Sequence, residues 1–112
     1  MSILRYSEAD ITLIENTIKH SVYLNKEAYH AWPVTSLANL TPADFDSFKD
    51  VEIILIATNE RIPLQLPVEV RCHLAKARIG VEVMNIGALC RTFNLLLQEG
   101  RCVAAGLIFS DN

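Results

Sequence analysis

Two stretches of this chain are apolar at nearly every position. They are Val51-Glu52-Ile53-Ile54-Leu55-Ile56-Ala57 and Cys102-Val103-Ala104-Ala105-Gly106-Leu107-Ile108-Phe109. A strand sends successive side chains to opposite faces, so a run apolar at both parities predicts a strand covered on both sides. Two such strands belong at the centre of a layered α/β domain with helices on both faces. Ala104, Ala105 and Gly106 are small, which predicts close approach of a helix to the sheet there.

Elsewhere the pattern has one wet face. From Thr17 to Leu24, Ile18, Val22 and Leu24 share a parity with His20, while Thr17, Lys19 and Ser21 take the other, which predicts a half-buried strand. Asn25-Lys26 suits a tight turn, because Asn tolerates positive φ. A second strand is expected through Ala28-Tyr29-His30-Ala31-Trp32, and Pro33, lacking a backbone N–H, should end it or place it on an edge. Together these two strands predict an amino-terminal β-hairpin.

Three helices follow from punctuation and period. Thr41 can cap, Pro42 suits the first helical position and Asp44 faces the positive end of the dipole, predicting a short helix to about Lys49. Pro67 opens a second helix to about Arg78, with Gly80 as its stop. Val70, Leu74 and Ala77 form one stripe of that helix, and Val68, Cys72, Ala75 and Ile79 form another almost opposite. The second stripe needs cover from the amino-terminal hairpin or from another subunit. After a short strand, Val81-Glu82-Val83-Met84, Asn85 can cap a third helix whose core arc is Ile86, Leu89, Cys90, Phe93, Leu96 and Leu97. Arg91, Asn94 and Gln98 form a polar arc beside it, Leu95 falls outside the core arc as a possible contact residue, and Gly100 stops the helix. The predicted order is β-β-α-β-α-β-α-β.

The chain has 112 residues, enough for a single domain over 1–112 that buries about 65% of its unfolded surface. No repeat or low-complexity linker divides it. Ten basic and 13 acidic residues give a net charge of -3, without the basic cluster that nucleic-acid binding requires. No stretch free of both charges and Gly or Pro breaks approaches the ~20 residues of a membrane span, so no membrane insertion is expected. The start, Met1 to Glu8, is too polar for a signal peptide, which predicts a cytoplasmic location. Cys72, Cys90 and Cys102, with His20, His30 and His73, show no metal-ligand spacing, and three is an odd number for a disulfide framework. Neither a metal nor a cofactor is expected. Cys72 and Cys102 read as packing residues, and His20 and His30 as partly buried hydrogen-bonding residues.

Three segments carry a family resemblance: Ile54 to Pro63, Gly80 to Asn94 and Gly100 to Ala105. Together they resemble the Mth-type domain family of unknown function, which includes the mitochondrial complex I assembly factor 3 proteins and the adipogenesis-associated Mth-domain proteins. The resemblance covers nearly the whole chain, and Trp32 and the Leu40-Thr41-Pro42-Ala43-Asp44-Phe45 segment match bacterial members. It implies a three-layer α/β fold with a mixed central sheet, no agreed enzymatic activity, and an assembly or scaffolding role. Two departures matter. Ala57-Thr58-Asn59 stands where relatives have Gly-Thr-Gly, and Asn85-Ile86-Gly87 stands where they have Asp-Thr-Gly. The second removes a carboxylate and a hydroxyl from a helix entrance, which weakens a shared acid–base reaction and leaves a shared binding surface intact.

Ligands of open α/β sheets sit beyond the carboxyl ends of strands. That rule selects Thr58, Asn59 and Arg61 in one turn, with Asn85, Gly87, Cys90, Arg91 and Asn94 at the helix entrance beside it. A helix amino terminus offers N–H groups and partial positive charge, and Arg61 and Arg91 could add bidentate donors for a carboxylate or phosphate. The competing reading has Arg91 and Asn94 capping loops or pairing with Glu82 or Glu99. Cys90 lies where the dipole favours a thiolate, yet no His falls near it to act as base, and it also suits a small buried hydrophobe. Two functions are therefore expected in order: a non-catalytic interaction or assembly domain, with a protein partner or self-association, and then a small-anion binding protein or minor enzyme at the Arg61/Arg91 corner.

Overall fold

In the computed structural model the two apolar runs become neighbouring parallel strands in the middle of a mixed sheet. The structure describes residues 20–60 and 65–109, and the backbone of three two-residue strands nearer the amino terminus. Those three, β1 (Arg5–Tyr6), β2 (Ile11–Thr12) and β3 (Thr17–Ile18), form a small antiparallel sheet of their own. The main sheet contains β4 (Val22–Leu24), β5 (Tyr29–Ala31), β6 (Ile53–Thr58), β7 (Gly80–Met84) and β8 (Val103–Ile108), in the order β5-β4-β8-β6-β7. β6 pairs parallel with both β7 and β8, and β4 pairs antiparallel with β8 and β5. All six residues of β8 are buried.

Register divides the core into two clusters. Leu55 and Ala57 of β6, Val103, Ala105 and Leu107 of β8, and Val22 and Leu24 of β4 face α2 (Ile86–Gln98) with its Leu89, Cys90 and Phe93. Ile54, Ile56, Ala104 and Ile108 face the other way, onto α1 (Val68–Lys76) with its Val70 and Leu74, and onto Trp32, Phe45 and Phe48. The topology explains why helices cover both faces. α1 joins β6 outward to β7, and α2 joins β7 back past β6 to β8. Right-handed crossovers stepping in opposite directions must lie on opposite faces.

Several expected elements change. The strand expected over 17–24 is two strands in two different sheets, divided at a bend at His20. Ser21 already belongs with the main sheet: its backbone oxygen extends the β4–β5 ladder by accepting the Trp32 N–H at 2.9 Å, and its Oγ accepts the Phe109 N–H at 3.0 Å. The hairpin β4–β5 itself turns at Asn25, whose Oδ1 accepts the N–H groups of Glu27 (2.8 Å) and Ala28 (3.0 Å). His20 and His30 are exposed rather than partly buried, with His30 stacked on Tyr23 at a centroid distance of 5.0 Å.

The helix expected from Pro42 to Lys49 is a 3-10 helix of four residues, Pro42–Phe45, after an additional 3-10 turn, Leu37–Asn39. The start signals hold: Asp44 Oδ2 accepts the Thr41 N–H at 2.8 Å and completes a capping box. The short, tight helix and the turn after it bring Phe45 and Phe48, three residues apart, to the same side of the chain against Trp32. Gly106 admits that indole. Of the close approach expected at Ala104-Ala105-Gly106, α2 makes it on the Ala105 face, while the Trp32 ring fills the space at Gly106.

α1 also ends differently. Arg78 takes positive φ, 60°, its N–H bonds the Ala75 oxygen at 3.0 Å, and the Ile79 N–H bonds the Leu74 oxygen at 3.0 Å. This is a Schellman motif with arginine at the left-handed position, and Gly80 already belongs to β7. A Cβ costs about 1–2 kcal/mol in left-handed geometry, partly offset by the larger unfolded-state freedom of glycine. Arg78→Gly is accordingly expected to stabilise the chain by about 0.5–1 kcal/mol, read as a higher urea midpoint at unchanged slope. α2 ends as expected, with Gly100 at φ 75°.

Of the second apolar stripe on α1, Ile79 packs against the core, while Val68, Cys72 and Ala75 are exposed and left uncovered by β4–β5. Cys72 and Cys102 are both exposed, contrary to the packing role expected of them, and only Cys90 is buried. Cys72 faces away from the sheet, and Cys102 precedes the first residue of β8.

Candidate functional site

The carboxyl ends of β6 and β7 lie side by side: Ala57 pairs with Met84 and, on its other side, with Leu107, and Thr58 pairs with Ile108. From here the chain leaves toward α1 on one face and α2 on the other, which makes this corner the switch point of the sheet. Thr58 and Asn85 each follow a residue of the Ala57–Met84 pair, Asn59 bonds toward β8, and Gly87 lies in the first turn of α2. Arg61 lies outside the described residues.

The centre of the corner is a residue that the sequence reading placed in the turn without a role, Glu60. Its Oε1 accepts hydrogen bonds from the Leu37 N–H (2.9 Å) and Thr58 Oγ1 (3.0 Å), and its Oε2 accepts one from Ser36 Oγ (3.3 Å). Thr58 Oγ1 in turn accepts the Glu60 N–H at 3.2 Å. The carboxylate thus clamps the start of the 3-10 turn Leu37–Asn39, more than 20 residues earlier in the chain, to the end of β6. The signal available in sequence was the Thr-x-Glu spacing, in which hydroxyl and carboxylate can close a local turn. Asn59 continues the β8 ladder, its N–H bonding the Ile108 oxygen at 3.2 Å.

At the helix entrance Asn85 caps as expected, with Oδ1 accepting the Ala88 N–H at 2.8 Å. The remaining expected residues diverge. Cys90 points into the core at 3% exposure, beside Leu89 and Phe93. Burial pushes its thiol up to about 11, against the smaller opposing effect of the Arg91 charge. Arg91 is exposed on the side of α2 away from the sheet, and Asn94 lies half-buried one turn further on.

The Cys90 shift has a consequence for stability. A thiol that holds its proton more tightly when folded supports the fold fully below its unfolded pKa and loses that support as pH rises through the folded value. The Cys90 contribution to the unfolding free energy is therefore expected to be flat to about pH 9 and to fall between pH 9 and 11 by at most about 2.7 kcal/mol, a loss absent in Cys90→Ala. In the native state at neutral pH, a thiol reagent should modify Cys72 and Cys102 and spare Cys90.

Two grooves are lined by other residues. One, beside the ends of β5 and β8, is lined by His20, Ser21, Trp32, Pro33 and Phe109. The other, at the opposite end of the sheet, is lined by Lys26, Lys49, Asp50 and Cys102. Near it Arg101 Nε donates to Glu52 Oε1 at 2.6 Å, an exposed pair whose hydrogen bond holds the Glu52 carboxyl below its usual range. Among the described residues no three His, Cys, Asp or Glu side chains converge as a metal site, and no helix is long and apolar enough to cross a membrane.

A mixed five-stranded sheet with one helix on each face, β6 and β8 parallel at its centre, defines an α/β domain of the Mth938-like type. The closely superposable structures include an NMR structure from Xanthomonas campestris (TM-score 0.86, 30% identity, 96% of this chain and 83% of that one). A crystal structure from Bordetella parapertussis superposes at TM-score 0.83 with 29% identity, over 96% of this chain and 93% of that one. The Mth938-like domain from Bordetella pertussis, solved by NMR, gives TM-score 0.75 at 25% identity, over 96% and 84%. The chain belongs to the family described as "Protein of unknown function (DUF498/DUF598)", which it matches over residues 3–108. Among curated relatives it is 30% identical to NADH dehydrogenase [ubiquinone] 1 alpha subcomplex assembly factor 3 of Bos taurus, over 96% of this chain and 60% of that protein. It is 29% identical to the Mus musculus protein of the same name, over 92% and 57%. The chain thus spans less than two thirds of the length of these relatives.

Proposed function

We propose that this chain is a non-catalytic protein-interaction module serving the assembly of a respiratory membrane complex, as the name of its curated relatives describes for them. The observation that carries the reading is its likeness to those relatives over nearly its whole length. The corner chemistry agrees with it: Glu60 and Asn85 are committed to the chain's own backbone, and the Cys90 thiol is protonated and buried. The test is deletion in the source organism followed by native gel electrophoresis of its NADH dehydrogenase, with recovery of dehydrogenase subunits on the tagged chain. Loss of assembled complex and co-recovery are expected. Normal assembly without the chain would remove the reading.

The second reading is a small carboxylate or phosphate held by Thr58 and Asn59 at the Asn85–Arg91 entrance, with Arg61 as the cation expected from the sequence. The register that sets Thr58 beside Asn85 at the switch point favours it. It requires a melting-temperature rise with some member of a panel of phosphates, nucleotides and carboxylates, abolished by Arg61→Ala. A panel without effect would end it.

A further inference from the structure

The outer face of α1 is where charge and apolar pattern depart from the rest of the molecule. Val70 and Leu74 turn into the core, and Val68, Cys72 and Ala75 line the opposite side, with Val68 62% exposed. Arg71 flanks this stripe on one side and Lys76 on the other, with Arg78 at its carboxyl end, all exposed. Residues 68–78 hold these three cations and one acid, Glu69, a net +2 in a chain of net charge -3, so the remaining residues carry the other -5. The surface carries more positive than negative side chains in a chain of the opposite net sign.

Arg78 extends the positive charge past the last helical turn, held at φ 60° by the Schellman cap that ends α1.

We propose that this face of α1 docks an acidic amphipathic helix of a protein partner, an inference that rests on the interaction-module reading. Small side chains at 68, 72 and 75 let a second helix approach closely, while Arg71, Lys76 and Arg78 meet Asp or Glu on its flanks. A second copy of this chain fits less well, since like charges would meet. A lipid surface also fits less well, because α1 has nine residues and turns no Trp, Phe or Leu outward.

Cys72 sits in the middle of the stripe, and Cys102, exposed ahead of β8, serves as an internal reference for a footprint. The experiment measures alkylation of Cys72 relative to Cys102 in the intact chain. Its probe is a synthetic helical peptide of about 15 residues, with an Ala/Leu stripe flanked by Glu, together with its Lys-flanked twin. The Glu peptide is expected to slow Cys72 alone, less so at high salt. Arg71→Glu/Lys76→Glu, which touches only exposed side chains, should weaken this binding about tenfold or more. Arg78→Gly should weaken it while raising stability. Equal protection by the Lys twin, protection by phosphatidylglycerol vesicles in place of the peptide, protection that grows with protein concentration alone, or none at all would each overturn the proposal. Co-purification separates this surface from the broader reading. If Arg71→Glu/Lys76→Glu recovers the wild-type partner undiminished, the surface is wrong and the module reading stands. If the wild-type chain recovers none, both fall.

Discussion

Gly106→Ala is expected to lower the unfolding free energy by about 3 kcal/mol, the upper part of the usual range for overpacking a filled core. A Cβ built on Gly106 meets Trp32 ring carbons at 2.5, 2.9 and 3.2 Å. Gly106 is in mid-strand on β8, paired to Tyr23 on one side and Ile56 on the other, so its backbone cannot retreat from the ring. The ring cannot retreat either. Its Nε1 donates to the Asp44 oxygen at 2.9 Å, and Phe45 and Phe48 stand edge-on to it at 5.8 and 5.5 Å. The clash falls on two rigid groups, and the loss should appear in chemical denaturation as a lower midpoint and in near-UV circular dichroism as a weaker Trp32 signal. Combining Gly106→Ala with Trp32→Leu tests the cause: the double variant should lose less than the sum of the two single losses. Full additivity, or a neutral Gly106→Ala, would show that the sheet relaxes around the new methyl group.

That contact marks the boundary of what the sequence could reveal. The parity of residues 53–58 and 103–108 suffices to place both strands in the centre and to sort their side chains onto two faces, because alternation is a local property of a strand. Likewise Asn85, Gly100 and the core arc of α2 follow from capping and period. What escaped depended on partners distant in the chain. Ser21 is fixed in the main sheet by Trp32 and Phe109, apart from the two residues Thr17–Ile18 that pair elsewhere. The Pro42–Phe45 segment stays 3-10 in a setting fixed by an indole ten residues upstream. Arg78 holds a position that composition would give to Gly80, and the pairing of Leu74 with Ile79 is the sequence trace of that cap. Of the candidate site, a position at the carboxyl ends of strands followed from the alternation of strands and helices along the chain, without the strand order. Glu60 was not, because its main partners, Ser36 and Leu37, are more than 20 residues away.

The same long reach makes Glu60 the second position with a large expected effect. Glu60→Ala should destabilise the chain by about 3 kcal/mol: hydrogen bonds to an ionised acceptor contribute roughly 1.5–3 kcal/mol each, and the half-buried Leu37 N–H would be left without its acceptor. Glu60→Gln keeps an oxygen near Oε1, so it should retain the bond to Leu37 and lose about half as much. A clamp and a mere surface carboxylate differ in where the loss appears. Hydrogen exchange should speed up at Leu37 and Ala38 and along the Thr58–Ile108 end of the sheet, with β7 and the middle of α2 unchanged at sub-global opening. An alanine variant as stable as the wild type, or one whose exchange quickens evenly everywhere, would mean that Glu60 does not tie the 3-10 turn to β6. In that case the corner's carboxylate would be available for a ligand or partner, and the case for a purely scaffolding role at the switch point would fail with it.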